Sequence, residues 1–233
     1  MTHTNIKRIS ILGAGTMGPG LALSYAMHGF EVRIWSVEPK LFATAKAVIA
    51  KSLETLARSG LLAAEAIPGA IANIQYFEDL PSCVEGADYV VEAIIENVAA
   101  KRELYAQLDK LLPEGVLIAS NTSVLNIFEL MPSRRLPQTV IAHWFAPPHV
   151  VPLVEVVKCE QTADATVETT MGLLRKIGKT PVLLREYVPG FIINRLQMIL
   201  NKEVFYLLDS GVITPAELDA AVKVPGLTNL WVP

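Results

Sequence analysis

The sequence predicts an α/β protein: a doubly wound, largely parallel sheet over residues 1–185, followed by a short all-helical segment over residues 186–233. Three observations carry that prediction. Strand-like and helical runs alternate up to residue 120, as βαβ units do. A cluster of glycines separates the first strand from the first helix, where folds of this class need a tight turn. From Pro189 onward the pattern is helical alone.

The elements follow in order. Residues 6–12 form a short apolar run, read as a buried strand, and 16–28 read as a helix stopped by Gly29. A second strand is expected over 30–35. A long helix with an Ala/Leu-rich face is expected over 39–58, ending at Ser59-Gly60. A short helix near 63–71 and a short strand near 73–77 come next, then a strand over 89–95, a helix over 99–112 and a strand over 116–120. After residue 121 the rhythm changes, and Pro132, Pro137, Pro147, Pro148 and Pro152 punctuate the chain. The apolar runs 140–145 and 150–157, separated by Ala146-Pro147-Pro148-His149, predict a hairpin. A helix over 163–176 and a last strand over 180–184 close the first part. In the second part Thr214-Pro215-Ala216-Glu217 combines an N-cap, a proline at the first helical position and a glutamate at the third.

Composition narrows the function classes. With 233 residues, 52% of them apolar, the chain has enough material for one large domain or two modest ones, and disorder is excluded. Twenty basic against 23 acidic residues give a net charge of -3, and no Lys/Arg block exceeds a pair, so no nucleic-acid partner is expected. Cys83 and Cys159 are too few for a secreted disulfide framework and read as thiols of a reducing, cytoplasmic compartment. No apolar stretch reaches transmembrane length, so no membrane partner is expected. Lys7 and Arg8 precede an uncharged run, as in a signal peptide, but Gly13, Gly15, Gly18, Pro19 and Gly20 would break its helix. No metal-ligating set stands out.

The strongest local signal is Gly13-Ala14-Gly15-Thr16-Met17-Gly18. Alone, G-x-G-x-x-G is weak. Here it follows a strand, opens a helix and leads to a second strand about 20 residues on, the context of a Rossmann-type dinucleotide site. Gly13 permits the turn, Gly15 lets backbone approach a pyrophosphate, and Gly18 lets helix and strand pack closely. The helix N-terminus favours the phosphate charge. At the end of the second strand, where an acid normally binds the adenosine ribose, stands Ser36, with Glu38 and Lys40 just beyond. A serine does not repel a 2′-phosphate. NAD is the expected cofactor, and NADP is not excluded.

A histidine beside Trp144 and Phe145 on an apolar strand reads, in isolation, as a core residue. Glu155, inside Leu153-Val154-Glu155-Val156-Val157, changes that reading for His143. A carboxylate in such a run is costly unless partnered. A hairpin centred near His149 makes the two residues face each other, which is what a proton-abstracting histidine needs. His149 itself is expected to be exposed in its proline turn. Ser120-Asn121-Thr122-Ser123 follows a parallel strand, at the sheet edge where doubly wound folds bind ligands. Asn194 lies in an otherwise apolar helix start.

These residues resemble the 3-hydroxyacyl-CoA dehydrogenase superfamily from residue 9 to at least 222. Six motifs in order carry the resemblance: the glycine motif, Val90-Val91-Glu92-Ala93-Ile94-Ile95-Glu96-Asn97, Ser120-Asn121-Thr122-Ser123, His143-Trp144-Phe145-Ala146-Pro147, Leu153-Val154-Glu155 and Pro189-Gly190-Phe191-Ile192-Ile193-Asn194-Arg195. The resemblance implies His143 as general base and Glu155 as its orienting partner. It implies that Ser123 and Asn194 hold the hydroxyl and carbonyl region of a small-molecule hydroxyacyl substrate. Gly13, Gly15, Thr16, Met17, Gly18, Ser36 and Ala93 would bind the cofactor, Glu96 and Lys101 would line its nicotinamide-side ribose, and Asn121 would lie near the nicotinamide. A place in fatty acid metabolism is implied as well.

The chain also departs from the family. Ser36 replaces the ribose acid, and Ala146 stands where the family's His-x-Phe-Asn-Pro motif has asparagine. The helical segment stops at Pro233, short of the family's usual second domain, so the chain is expected to be either cut or a short member. The turn Ala146-Pro147-Pro148-His149-Val150-Val151-Pro152 looks more like the lambda-crystallin, gulonate and carnitine dehydrogenase branch, whose members take small free hydroxy acids. Lys40, Lys46, Lys51 and Arg58 are the cations the long helix offers a CoA phosphate. A β-hydroxyacid dehydrogenase would carry lysine where Arg195 stands, and a non-catalytic dinucleotide-binding protein would have no need of His143 and Glu155. Finally, Phe191, Ile192, Ile193, Leu196, Ile199, Leu200, Phe205, Leu207 and Leu208 cover more than one stripe of a helix over 190–208, which predicts a homodimer through the helical segment.

Overall fold

The computed structural model describes residues 6–223. The chain divides into two compact units, residues 1–189 and 190–233. The parts of the predicted domains at 1–5 and 224–233 lie outside the described residues.

The first unit is built on one eight-stranded sheet in the order β3-β2-β1-β4-β5-β6-β7-β8. Its strands are β1 (Arg8–Leu12), β2 (Glu31–Trp35), β3 (Ile74–Phe77), β4 (Tyr89–Glu92), β5 (Leu117–Ser120), β6 (Thr139–Trp144), β7 (Leu153–Val157) and β8 (Thr180–Leu184). The first six are parallel; β7 runs antiparallel to β6, and β8 runs parallel to β7. The central strands are apolar on both faces because helices cover both: Ile11, Val91, Ala119 and Val140 are buried on one face and Leu12, Val90, Ile118 and Ile141 on the other, as parallel sheets require. The chain order reverses between β1 and β4, and ligands of doubly wound sheets bind at the carboxyl ends of the strands there.

Helix α1 (Gly18–Ala26) starts two residues later than the sequence predicts, with Pro19 in its first turn, so Thr16 and Met17 belong to the glycine turn. Helix α2 (Leu41–Arg58) is amphipathic, with Ala45, Ile49, Leu53 and Leu56 buried. Helix α3 (Ile67–Ala72) follows a 3-10 turn. Helix α4 (Leu80–Val84) is not anticipated by the sequence pattern; five residues are too few to show a period, and only Asp79, whose carboxylate accepts from the Ser82 N–H at 2.9 Å, marks its start. Helix α5 (Val98–Leu111) is capped by Asn97, and α6 (Asp164–Lys176) precedes β8. Strand β4 stops at Glu92 rather than running to 95, because the Glu92 carboxylate takes the Ile94 N–H at 2.9 Å and turns the backbone out of the sheet.

The predicted hairpin forms with β6 and β7 as its arms, and the register sets His143 opposite Glu155. Strand β7 begins at Leu153, not 150, since Pro147 and Pro152 take the intervening segment out of the ladder. The second unit holds α7 (Ile193–Asp209) and α8 (Pro215–Lys223). Helix α8 starts with the capping box read from the sequence: the Thr214 hydroxyl accepts from the Glu217 N–H, and the Glu217 carboxylate accepts from the Thr214 N–H at 3.0 Å. Among the described residues no helix is long and apolar enough to cross a membrane.

Candidate active site

The glycine turn is shaped by what it excludes. Gly13 has φ +123°, and a Cβ there would lie 2.4 Å from the Ala93 carbonyl oxygen; a Cβ on Gly18 would lie 1.8 Å from that of Gly13. Both positions require glycine. Gly15 differs: a Cβ on it meets nothing within 4 Å, because Gly15 faces open space. That space is a cavity of about 700 Å³. Gly13, Gly15, Thr16 and Met17 line it from the turn, Ser36, Val37 and Glu38 from the end of β2, Ala93 and Glu96 from the loop after β4, and Asn121 and Ser123 from the loop after β5. Backbone approach at Gly15, a helix start behind it and a cavity at the strand ends fit a dinucleotide.

Two cofactor assignments fall behind this wall. Gly18 is buried in the helix–strand packing. Lys101, expected to line the nicotinamide-side ribose, is 1% exposed, and its ammonium is sandwiched between Glu92 at 2.6 Å and Glu96 at 3.2 Å. The physical reason is α5: its first turn packs against the sheet and turns Lys101 inward, so only Glu96 of the pair reaches the cavity. The Glu96 carboxylate accepts from the Thr122 hydroxyl at 2.5 Å, the Ser123 N–H at 2.7 Å and the Val124 N–H at 3.2 Å. Burial pushes its pKa up, but the Thr122 hydroxyl, the Lys101 charge and the Ser123 N–H more than offset this, and the net direction is below the ordinary glutamate value. At the other end Ser36 is buried, and its hydroxyl oxygen accepts from the Glu38 N–H at 3.1 Å. The Glu38 carboxylate pairs with Lys40 at 2.8 Å.

On the hairpin, His143 Nδ1 lies 2.8 Å from Glu155 Oε2, with His143 4% exposed and Glu155 fully buried. A carboxylate only accepts, so Nδ1–H donates and Nε2 is left as the basic nitrogen. The imidazole stacks at a tilt on Phe145, ring centres 4.6 Å apart. The next residue, Trp144, donates its backbone N–H to Asn121 Oδ1 at 2.9 Å. Asn121 therefore ties the histidine strand to the cavity wall it helps form. Asn194 lies in the first turn of α7, in the second unit. His149 is half-buried rather than exposed, since Pro148 beside it packs into the protein, and burial and then the Lys179 charge lower its pKa. Three further groups of this site, Glu92, Tyr105 and Thr122, carry no assignment from the sequence. For Glu92 the signal was present: it is a lone carboxylate in an apolar strand, as Glu155 is. Among the described residues no cluster of three or more His, Cys, Asp or Glu is suited to a metal ion.

Residues 8–187 match the family model of the 3-hydroxyacyl-CoA dehydrogenase NAD binding domain, and residues 190–228 match that of the 3-hydroxyacyl-CoA dehydrogenase C-terminal domain. The chain belongs to the 3-hydroxyacyl-CoA dehydrogenase family. It is similar to 5-formyl-3-hydroxy-2-methylpyridine 4-carboxylate 5-dehydrogenase of Mesorhizobium japonicum, 36% identical over 94% of this chain and 70% of that one. It is equally similar to a probable 3-hydroxybutyryl-CoA dehydrogenase of Bacillus subtilis, 36% identical over 94% of this chain and 76% of the relative. Among solved structures, a 5-formyl-3-hydroxy-2-methylpyridine 4-carboxylic acid 5-dehydrogenase, an NAD+-dependent dismutase, superposes with a TM-score of 0.84 at 34% identity, over 94% of this chain and 71% of that one. The family places the chain among NAD-dependent oxidoreductases, and the glycine turn and its cavity lie within the part of the chain that matches the NAD binding domain.

Proposed function

We propose that this family member oxidises the C3 hydroxyl of a 3-hydroxyacyl-CoA, with His143 as general base. The observation that carries this reading is the buried His143–Glu155 pair at 2.8 Å, tied through Trp144 and Asn121 to the wall of the dinucleotide cavity. When bound, NAD supplies a hydride acceptor at the nicotinamide C4. His143 Nε2 takes the proton of the substrate hydroxyl as the C3–H hydride departs, so an alcohol becomes a ketone with one proton left on the imidazole. Glu155 stabilises that imidazolium and fixes the tautomer beforehand. Ser123, on the cavity wall, holds the substrate hydroxyl. Gly13, Gly15, Thr16 and Met17 receive the pyrophosphate, Glu96 the nicotinamide-side ribose, and Asn121 the nicotinamide. The active species is a homodimer.

A second reading, a small free 3-hydroxy acid as substrate, is favoured by α2. Of the four cations on it and at its N-cap, Lys40 is paired with Glu38 at 2.8 Å and Lys46 sits 4.7 Å over the Tyr76 ring, which leaves Lys51 and Arg58 for a CoA phosphate. NADH formation from a panel of 3-hydroxyacyl-CoA thioesters and free hydroxy acids, with NAD and NADP compared, separates the readings. Turnover confined to thioesters supports the first, and turnover confined to free acids the second. Tight NADH binding with no turnover of either class would make the chain a dinucleotide-binding protein without chemistry.

A further inference from the structure

The dinucleotide cavity rests on a buried carboxylate that cannot touch a ligand. Glu92, the last residue of β4, is 0% exposed. Its Oε1 accepts from the Lys101 ammonium at 2.6 Å and the Ile94 N–H at 2.9 Å, and its Oε2 accepts from the Tyr105 hydroxyl at 2.6 Å and the Ser120 hydroxyl at 2.5 Å. Its backbone carbonyl accepts from the Asn121 N–H at 2.7 Å. Four donors on two oxygens leave the carboxylate well satisfied. A buried carboxylate is costly, and an apolar residue would serve the sheet as well, so what its partners build is the point of interest.

We propose that Glu92 is the positioning residue for the nicotinamide-ribose end of the cofactor site. It binds three separate segments at once. Through the Ile94 N–H it folds the loop after β4, which places Ala93 against Gly13 and sends Glu96 to the cavity. Through Lys101 it holds the ammonium that lies 3.2 Å from Glu96. Through Ser120 and its own carbonyl it sets the start of the loop after β5, whose Ser123 N–H also binds Glu96 at 2.7 Å. A ribose diol recognised by Glu96 and an amide recognised by Asn121 thus meet groups aligned from behind by one side chain. Tyr105, on α5, adds the fourth donor and fixes the carboxylate plane.

The inference rests on the reading that Glu96 and Asn121 face the nicotinamide half, and the test separates the two. NADH and ADP are titrated into the full chain, with quenching of Trp35, which lines the cavity, as the signal. ADP lacks the nicotinamide ribose. Glu92→Gln keeps the shape and removes the charge; NADH binding weakens about 10-fold, a size typical of coupling by residues that touch neither ligand, while ADP binding stays within about 2-fold. Should Glu92→Gln not fold, Tyr105→Phe removes one donor, leaves the ion pair in place and gives the same selective loss on a smaller scale. Equal weakening of NADH and ADP, or unchanged NADH binding in a folded variant, overturns the role of Glu92. Unchanged NADH binding in Glu96→Gln overturns the underlying reading of the cavity, and the inference with it.

Discussion

His143 and Glu155 share one register position on two antiparallel strands, so each can be replaced without moving the other's backbone. His143→Ala is expected to lower kcat by about 10²–10⁴-fold, the usual range for a lost general base, with NADH affinity nearly intact. Glu155→Gln lowers kcat too, because an amide neither balances an imidazolium nor enforces the Nδ1–H tautomer. Steady-state kinetics beside NADH titrations measure both; wild-type turnover in either variant would remove the pair from the mechanism. At the proposed adenosine end, the Ser36 hydroxyl accepts from the Glu38 N–H, and the carboxylate of Glu38 is shared with Lys40. The preference for NAD over NADP is therefore expected to be shallow, and Ser36→Asp should sharpen it by placing a charge against a 2′-phosphate. Relative affinities for NADH and NADPH test this, and a tenfold native preference for NADPH would refute it.

At the scale of elements, the alternation of strands and helices was legible because parallel strands are uniformly apolar and their crossover helices are not. The hairpin was legible from two apolar runs flanking Ala146-Pro147-Pro148-His149, and the pairing inside it from a glutamate in an apolar strand that demanded a partner opposite. The same reasoning was available for Glu92, but its partners come from α5, from the last residue of β5 and from the loop after β4, and no spacing in the sequence shows that α5 turns Lys101 and Tyr105 inward. The turn of the hairpin shows a further long-range dependence. Lys179, just before β8, donates to the carbonyls of Pro148 at 2.5 Å and Val151 at 2.9 Å, and its ammonium lies 5.2 Å over the Trp144 ring. Burial lowers its pKa from 10.5 to about 8. Between these two values the unfolded chain binds more protons than the folded one, so this group makes stability rise with pH across that window. Lys179→Met removes the contribution. Urea midpoints at about pH 8 and pH 10 should show the wild type gaining on the variant as pH rises; a gap independent of pH would contradict the buried ammonium.

At the scale of the whole molecule, the expected dimer rests on α7. No residue of that helix is buried, and Met198, Ile199, Phe205 and Tyr206 are each 63–68% exposed. Met198 and Phe205, like Ile199 and Tyr206, are seven residues apart, so the four side chains form one stripe two turns long. Two aromatic rings, an isoleucine and a methionine on one stripe are the residue types that interface cores collect, and an isolated soluble helix face of that kind is costly in water. A two-fold axis lets the stripe cover itself with a second copy, because an isologous contact needs only one self-complementary patch. Light scattering at micromolar concentration is expected to give twice the monomer mass. Ile199→Asp with Phe205→Asp should shift the protein to monomer, since each pair of facing carboxylates would then be desolvated against its own image. A wild-type monomer without concentration dependence would refute the dimer, and a double variant that stays dimeric would move the interface off α7.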